Sequence, residues 1–324
     1  MGQGQEHVQR EQTRDLNALN PMRRDYTTSA ASWLAGSTDV GRRHHLNQDA
    51  ISLWAAQGGR RGVLVVSDGV SSSPNSDRAS RTASTVVTEL LASRVDKGHF
   101  NFDQAGEIFN QVFESANRAV LADGADGSFA GSCTLVAAVV EQDSIAVANI
   151  GDTRAYWLPD RGAAVQVSTD DSVAQAQMEL GMSREEAENS AHAHAITKWL
   201  GPEATDLAPR TVAHRVEGPG WLMVCSDGLW NYVSEAASMA TLLNQFWHAM
   251  PPGDGPDVLA RALVGWANSQ GGRDNISVCL ARVEPVGAAV GPVADVPATV
   301  VDQADDEATQ RVLRPAPEGG ASQV

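Results

Sequence analysis

The sequence predicts an α+β fold in which two packed β-sheets are flanked by helices. Three observations lead to this prediction. Apolar runs of strand length recur along the chain, two pairs of amphipathic helices interrupt them, and strands and helices occur in blocks rather than in strict alternation. Strict alternation would instead predict a parallel α/β sheet. A chain of 324 residues with 42% hydrophobic residues is long enough to bury a sizeable core.

The net charge and the cysteine usage exclude several classes of protein. A formal net charge of −16 argues against a protein that binds nucleic acid or an anionic membrane. The sequence contains neither an N-terminal signal region nor an apolar run near the roughly 20 residues of a membrane span. Cys133, Cys225 and Cys279 lie in apolar runs without a paired spacing, which is typical of reduced thiols. We therefore expect a cytoplasmic protein, whose oligomeric state the sequence leaves open.

Both ends of the chain differ in composition from its middle. Residues 1–30 are polar and lack a sustained period, which predicts a disordered N-terminal arm. Residues 285–324 are rich in Pro, Ala, Val and acidic side chains, which predicts a disordered tail. In this tail, Thr309 is a candidate target for a kinase that prefers acidic flanks, although a plain solubilising tail is the simpler interpretation. The folded domain is expected to span residues 31–284.

The first half of this domain combines two strands with two long helices. Apolar runs predict strands over residues 50–54 and 62–67. Apolar residues then recur with helical spacing over residues 79–91 and 108–121. Two amphipathic helices in succession are expected to cover one face of a sheet.

The second half continues with strands and closes with another helix pair. A hairpin and two further strands are predicted at residues 131–140, 145–150, 153–158 and 165–167. A capping-box pattern at residues 183–186 predicts a short helix. Residues 191–201 are compatible with a surface flap beside a site. The remaining strands and helices are predicted at residues 222–225, 235–247, 257–268 and 276–283.

Four aspartates occupy the points where predicted buried strands meet loops. They are Asp68, Asp152, Asp227 and Asp274. Loops at strand ends commonly carry chemistry, although a single Asp-Gly pair is an ordinary turn signal. Hard divalent cations bind several oxygen ligands, and close carboxylates repel one another without a cation. The repeated pattern therefore indicates a divalent cation site.

Two histidines offer a competing metal site. His192 and His194 alternate with alanines, a spacing that would allow metal ligation. No nearby cysteine or carboxylate pattern completes a zinc site, so a solvated helix or loop is the preferred interpretation.

Taken together, these segments resemble the metal-dependent serine/threonine protein phosphatases of the PP2C type (the PPM family), in their bacterial form. The resemblance extends over roughly residues 30–284, with the motifs in the family's order. It implies a central antiparallel β-sandwich flanked by pairs of helices, in α-β-β-α layers. The matching motifs are Thr38–Gly41, Asn47–Asp49, Ser67–Gly69, Gly131–Thr134, Gly151–Arg154, Ser226–Gly228 and Asp274–Asn275.

The resemblance also implies Mn²⁺ or Mg²⁺ in a cleft at one end of the sandwich, as two ions with a third, weaker site. Asp68 would bridge two metals, with the Gly69 carbonyl on one of them. Asp227 and Asp274 would complete the protein ligands of the other metal.

Two further aspartates have less settled roles. Asp49 would hold metal-bound waters or contact a metal directly. Asp152, together with Asp227, would form the third site. The alternative for Asp152 is a turn aspartate that caps its strand end.

The implied reaction is hydrolysis of phosphoserine or phosphothreonine on proteins by a metal-activated water, without a phosphoenzyme. The catalytic residues would be Asp49, Asp68, Asp227, Asp274 and His44. The implied partners are phosphorylated proteins and the serine/threonine kinase whose action the enzyme opposes. The alternative is a non-catalytic phosphopeptide-binding or scaffolding module on the same fold.

Three departures from the family pattern leave questions open. Gln48 stands where the family usually has Glu, and residues 70–73 lack the family's usual loop residues. His44 stands where the family usually has an arginine that clamps phosphate, and Arg42, Arg43 and His45 are its neighbours. This basic run is either a substitute clamp or a solvated loop.

Overall fold

The computed structural model describes residues 25–124, 129–190 and 192–284. Residues 1–24 of the predicted arm, and the predicted tail at 285–324 with Thr309, lie outside the described residues. The arm prediction is wrong at its C-terminal end, because Tyr26–Ala31 form the first strand, β1. Most side chains of β1 are exposed and its order comes from antiparallel pairing with β2 (Leu34–Asp39), so it leaves no apolar run in the sequence.

The first sheet has six strands. Its other members are β7 (Arg154–Pro159), β8 (Val165–Gln166), β10 (Gly220–Cys225) and β11 (Ile276–Val283). The strand order is β1-β2-β11-β10-β7-β8, and every neighbouring pair is antiparallel. The last strand in the described chain, β11, therefore lies between β2 and β10 in the interior of the sheet.

The second sheet has five antiparallel strands in the order β3-β4-β5-β6-β9. Its strands are β3 (Ala50–Ala55), β4 (Arg61–Ser67), β5 (Leu135–Glu141), β6 (Ser144–Ile150) and β9 (Arg210–Arg215).

The two sheets pack face to face, and β4 shows how sequence alternation builds both sides of this layer. Leu64 and Val66 contribute to the core between the sheets, whereas Val63 and Val65 contribute to the core beneath the helices. Successive strand residues point to opposite faces, so one fully apolar strand serves two cores.

Helix pairs cover the outer faces of both sheets. The pair α1 (Ser76–Asp96) and α2 (Ala105–Ala122) packs on the second sheet through a core that includes Phe109 and Phe113. The pair α6 (Ala236–Ala249) and α7 (Pro256–Ser269) packs on the first sheet, against residues such as Trp221. The predicted α-β-β-α sandwich is therefore confirmed.

In the described part of the chain, four short helices lie outside these layers: the 3₁₀ helix Phe102–Gln104, α3 (Val173–Glu179), α4 (Arg184–Glu188) and α5 (Asp227–Trp230). The predicted capping box of α4 is present, with Ser183 and Glu186 as its two side chains. No helix among the described residues combines the length and the hydropathy that crossing a membrane requires.

Candidate metal centre

The five aspartates predicted as site residues meet at one end of the sandwich. Burial raises the pKa of Asp68 well above its usual value, and the charges of the other four, Asp49, Asp227, Asp274 and Asp152, raise it further. Both sheets contribute: Asp49 and Asp68 flank the paired strands β3 and β4, whereas Asp227 and Asp274 flank β10 and β11. The centre therefore exists only where the two sheets are packed together.

Burial keeps these carboxyls from ionising easily. Burial is the main cause that raises the pKa of Asp49 to about 7 and the pKa of Asp152 to about 7. Burial and the charge of Asp274 raise the pKa of Asp227 well above its usual value. A bound cation relieves both burial cost and repulsion, because it supplies the opposite charge that such a group lacks.

The oxygen atoms of the group fit a hard divalent cation. Asp49 Oδ1 and Asp227 Oδ1 are buried and have no hydrogen-bond partner, so each has a free lone pair inside the protein. Within the described residues, no three His, Cys, Asp or Glu side chains already have the geometry of a metal-ligand set. Mg²⁺ commonly keeps several waters and takes only one or two carboxylates directly, which suits this arrangement.

A buried chain of hydroxyl and amide groups holds Asp49 in place. Ser226 Oγ donates to Asp49 Oδ2 at 2.7 Å, and the Ser277 backbone N–H donates to Ser226 Oγ at 3.0 Å. The hydroxyls of Ser277 and Thr38 are 2.7 Å apart, and the Asn47 amide donates to Thr38 at 2.9 Å. This chain links β11 and β2 of one sheet to the start of β3 in the other.

Sequence reasoning assigned no role to the members of this chain. Thr38, Asn47 and Ser226 lie in the quoted motifs, beside or near the aspartates. Ser277 lies inside a predicted strand, where nothing in the local pattern marks it.

The side chain of Asn275 fixes the loop that precedes Asp49. Its Nδ2 donates to the carbonyls of Val40 at 2.8 Å and Leu46 at 3.2 Å, and its Oδ1 accepts from the Gln48 N–H at 2.8 Å. Asn275 is buried and directly follows Asp274. One amide thus sets the position of Asp274 relative to Asp49.

The motif at residues 131–134 supports the loop that carries Asp68. The Thr134 N–H donates to the Asp68 carbonyl at 2.8 Å, and the hydroxyl of Ser67 donates to the Thr134 carbonyl at 2.7 Å. Gly69 lies against the backbone, since a Cβ there would be 2.7 Å from the Ser76 carbonyl oxygen. The motif therefore supports the Asp68 loop through backbone groups. At position 69 only glycine avoids a clash with the Ser76 carbonyl.

Gln48 connects this loop to the first turn of α1. Its side-chain amide donates to the Ser76 hydroxyl. The backbone carbonyl of Gln48 accepts from the Gly69 N–H at 3.1 Å and from Ser80 Oγ at 2.5 Å. The amide nitrogen that replaces a carboxylate oxygen of the family's Glu thus has a protein partner.

His44 lies beside the predicted centre. Its Nε2 is 3.4 Å from Asp274 Oδ1, and the side chains of His44 and Asp274 are 33% and 38% exposed. Arg42 and Arg43 are exposed on the same loop. One edge of the imidazole therefore already faces a carboxylate, and contact between His44 and phosphate stays a prediction.

Asp152 is joined to α5 and to the segment that follows β8. The indole N–H of Trp230 donates to the Asp152 carbonyl at 2.9 Å, and the Arg154 guanidinium lies 3.6 Å from the centre of the Trp230 ring. Arg154 also forms paired hydrogen bonds with Asp170, the shortest at 2.7 Å. Asp227 begins α5 and Trp230 ends it, so this contact connects two predicted site residues.

The two flap histidines do not enter the carboxylate group. Both are exposed, and the ring of His194 lies 6.2 Å from the ring of Trp230, measured between centres. Neither belongs to a metal-ligand set among the residues described, which is consistent with the solvated-loop interpretation.

The α-β-β-α sandwich with buried carboxylates at one end has the architecture that the resemblance to the PP2C-type phosphatases implies, and comparison with known proteins identifies the family. Residues 40–266 match the family model for protein phosphatase 2C. The chain therefore belongs to the PP2C family and is a serine/threonine phosphatase of the bacterial type.

Bacterial phosphatases are among its relatives. Protein phosphatase PhpP of Streptococcus pneumoniae is 28% identical over 247 residues, which cover 75% of this chain and 94% of PhpP. The serine/threonine phosphatase stp of Listeria innocua is 27% identical over 248 residues, which cover 75% of this chain and 92% of that protein. The solved serine/threonine phosphatase of S. agalactiae superposes with a TM-score of 0.64 at 27% identity, covering 80% of this chain and 100% of that one.

Proposed function

We propose that this protein hydrolyses phosphoserine and phosphothreonine on proteins with Mn²⁺ or Mg²⁺ as cofactor, and so opposes serine/threonine kinases. The observation that carries the proposal is the group of aspartates around Asp68. Burial and the charges of four neighbouring carboxylates raise the pKa of Asp68. A divalent cation is the partner that suits such a group. The phosphatases in the family give the reaction class.

In this proposal Asp68, Gly69, Asp227 and Asp274 hold two ions, Asp49 holds one directly or through water, and Asp152 with Asp227 holds a third. When bound, the ions supply an activated water and positive charge beside the phosphoryl oxygens. The two unpartnered oxygens, Asp49 Oδ1 and Asp227 Oδ1, support this assignment.

The remaining contributions come from the protein's own side chains. Ser226 and Asn275 orient the carboxylates, because their hydrogen bonds fix Asp49 and the loop before it. His44, at the half-exposed rim beside Asp274, is proposed to contact the substrate phosphate. If Arg42 or Arg43 makes that contact instead, a guanidinium would grip the phosphate through two parallel donors.

The compartment proposed for this reaction is reducing, such as the cytoplasm. The three cysteines are free and buried, and burial raises the pKa of the Cys133 thiol to about 12. Inert, unpaired thiols of this kind support such a compartment.

The test compares wild type with Asp68→Ala and Asp227→Ala. We expect wild type to hydrolyse an aryl phosphate and a phosphothreonine peptide only with added Mn²⁺ or Mg²⁺, and both variants to lose Mn²⁺ binding by calorimetry together with turnover. Asp143→Ala is the matched control, because Asp143 lies in the turn between β5 and β6, at the opposite end of the sandwich.

Two outcomes would contradict the proposal. Wild-type turnover in either variant at saturating metal would show that the ligand assignment is wrong. Phosphopeptide binding by wild type without any turnover would instead support the non-catalytic alternative.

A further inference from the structure

A groove with a volume of about 850 Å³ opens beside the carboxylate centre. Gly228, next to Asp227, and Asp274 are among its lining residues, so the groove adjoins the carboxylate group. Trp230, Tyr232, Trp266, Arg273, Glu188 and Glu235 also line this side groove. Its volume falls within the roughly 300–1,000 Å³ of ligand sites.

Contacts inside the protein hold the aromatic walls of the side groove. The Tyr232 hydroxyl accepts from the Arg273 backbone N–H at 3.0 Å, and the rings of Tyr232 and Trp266 meet edge to face at 6.2 Å. Trp230 is held between its hydrogen bond to the Asp152 carbonyl and the Arg154 guanidinium. Walls fixed in this way lose little freedom when a ligand binds.

The charged side chains of the side groove differ in whether they already have a partner. Glu188 is paired with Arg154 at 3.3 Å and with Arg184 at 2.9 Å, so its charge is compensated within the protein. Arg273 is exposed and has no ion-pair partner among the described residues. Glu235 is also exposed, and one of its carboxylate oxygens accepts from Ser238 Oγ at 3.4 Å. One cation and one carboxylate are thus available to a ligand.

We propose that the side groove binds the polypeptide segment next to the phosphorylated residue and selects a segment with an acidic side chain that pairs with Arg273. This inference rests on the proposed phosphatase function and names the substrate class of the same site. Tyr, Trp and Arg are the residues enriched where proteins bind one another. A guanidinium binds a carboxylate through two parallel hydrogen bonds, which gives direction as well as charge.

Because of the charge of the whole protein, the preference for an acidic side chain is limited to one position of the substrate. A net charge of −16 disfavours acidic partners in general, so Arg273 favours an acid only at the substrate position that reaches it. Glu235, in the same groove, favours a basic side chain at a second position of the segment. The groove therefore fits a segment of mixed charge rather than a uniformly acidic one.

The experiment uses phosphothreonine peptides that differ in a single residue. Glu, Gln or Lys is placed in turn at each of three positions on either side of the phosphothreonine, and kcat/KM is measured with saturating Mn²⁺. The readout is the ratio of kcat/KM for the Glu peptide to kcat/KM for the Lys peptide, which cancels any effect on the metal centre common to both. We expect wild type to show a ratio of about 3–10 at one position, typical of an exposed ion pair.

Changes at Arg273 should act on this ratio. Arg273→Ala is expected to bring it to about 1 or below, because overall charge and Glu235 then disfavour the Glu peptide, and Arg273→Glu to lower it further, because the attraction becomes repulsion. The matched control is Arg161→Glu, which makes the same charge change at an exposed residue between β7 and β8, at the opposite end of β7 from Arg154. The control should keep the wild-type ratio.

Three results would overturn the inference: no Glu preference at any position, an unchanged ratio in Arg273→Glu, or an equal loss of the ratio in Arg161→Glu. The last would mean that overall charge sets the preference. Each can occur while wild type still hydrolyses an aryl phosphate with Mn²⁺, and then the proposed function stands. Failure to hydrolyse the aryl phosphate would instead contradict the proposed function.

Discussion

Asn275 is a single side chain on which the geometry of the centre depends. Its buried side chain makes three hydrogen bonds, to the backbones of Val40, Leu46 and Gln48. Asn275→Ala would leave two carbonyls and one N–H without these partners, and each unsatisfied buried group costs about 1–3 kcal/mol before relaxation. We expect the free energy of unfolding, measured in urea, to fall by about 2–4 kcal/mol.

The matched control for this change is Asn189→Ala. Asn189 makes one side-chain hydrogen bond, to the Glu185 carbonyl on the exposed helix α4, so its loss should cost less than about 1 kcal/mol. Equal destabilisation by the two changes would show that the Asn275 hydrogen bonds contribute no more to stability than the exposed hydrogen bond of Asn189.

Sequence reasoning selected the aspartates of the centre but not the groups that orient them. Asp68, Asp152, Asp227 and Asp274 stand out because each interrupts an apolar run at a strand end. Ser277 cannot be found in this way, because its role depends on a hydrogen bond with Ser226. The two residues lie at the paired strands β11 and β10, which are far apart in sequence. Pairing between distant strands is a property of the fold, and local pattern does not encode it.

At the level of secondary-structure elements, Arg154 at the start of β7 connects β7 with the segment after β8 and with α4. Its side chain is 2% exposed and pairs with Asp170, which is 3% exposed, and it also reaches Glu188 on α4. Burial raises the pKa of Asp170 even though Arg154 lies beside it. Removing one partner of a buried pair leaves the other charged and unsolvated.

Arg154→Met should therefore lower the free energy of unfolding by about 3–5 kcal/mol. A second change, Asp170→Asn, should restore part of this loss in the same chain, because no unpaired charge then remains at that position. Urea denaturation of the two single variants and the double variant measures the coupling. Strictly additive effects would show that Arg154 and Asp170 do not act as a pair.

The elements that sequence analysis missed are mostly exposed. β1 and β9 lie at the edges of their sheets, and nearly all their side chains contact solvent. Such strands form through backbone pairing with one neighbour, so they need no apolar alternation. Most of the buried strands and the four long helices were predictable because burial requires continuous or periodic apolar residues. The buried strand β2 was missed, because its sequence LAGSTD contains no apolar run.

For the molecule as a whole, the carboxylate centre makes stability depend on pH. The pKa of Asp49 and that of Asp152 lie at about 7 in the folded protein, against a usual value of 3.8. The folded state thus holds protons that the unfolded state releases, so this contribution is complete below about pH 4 and is lost as pH rises through about 7.

In the presence of a chelator, we expect the free energy of unfolding to decrease by a few kcal/mol between pH 5 and pH 7.5. Added Mn²⁺ should reduce this slope, because a bound cation favours the ionised carboxylates. Asp152→Asn should also flatten the curve, whereas Asp143→Ala, remote from the centre, should not. A metal-free protein whose stability rises over this interval would contradict the assignment of raised pKa values.

The place of β11 also determines when the enzyme becomes complete during its synthesis. Because β11 lies between β2 and β10 but follows them both in the chain, the first sheet stays open along its middle while translation proceeds. Until β11 has been made, β2 and β10 each have an unpaired edge that can pair with another chain. Asp274 and Asn275 directly precede β11, so a nascent chain holds an unfinished centre until this strand has been made. Under the proposed ligand assignment, the growing chain has no activity before β11 pairs, and closure of the sheet coincides with completion of the centre.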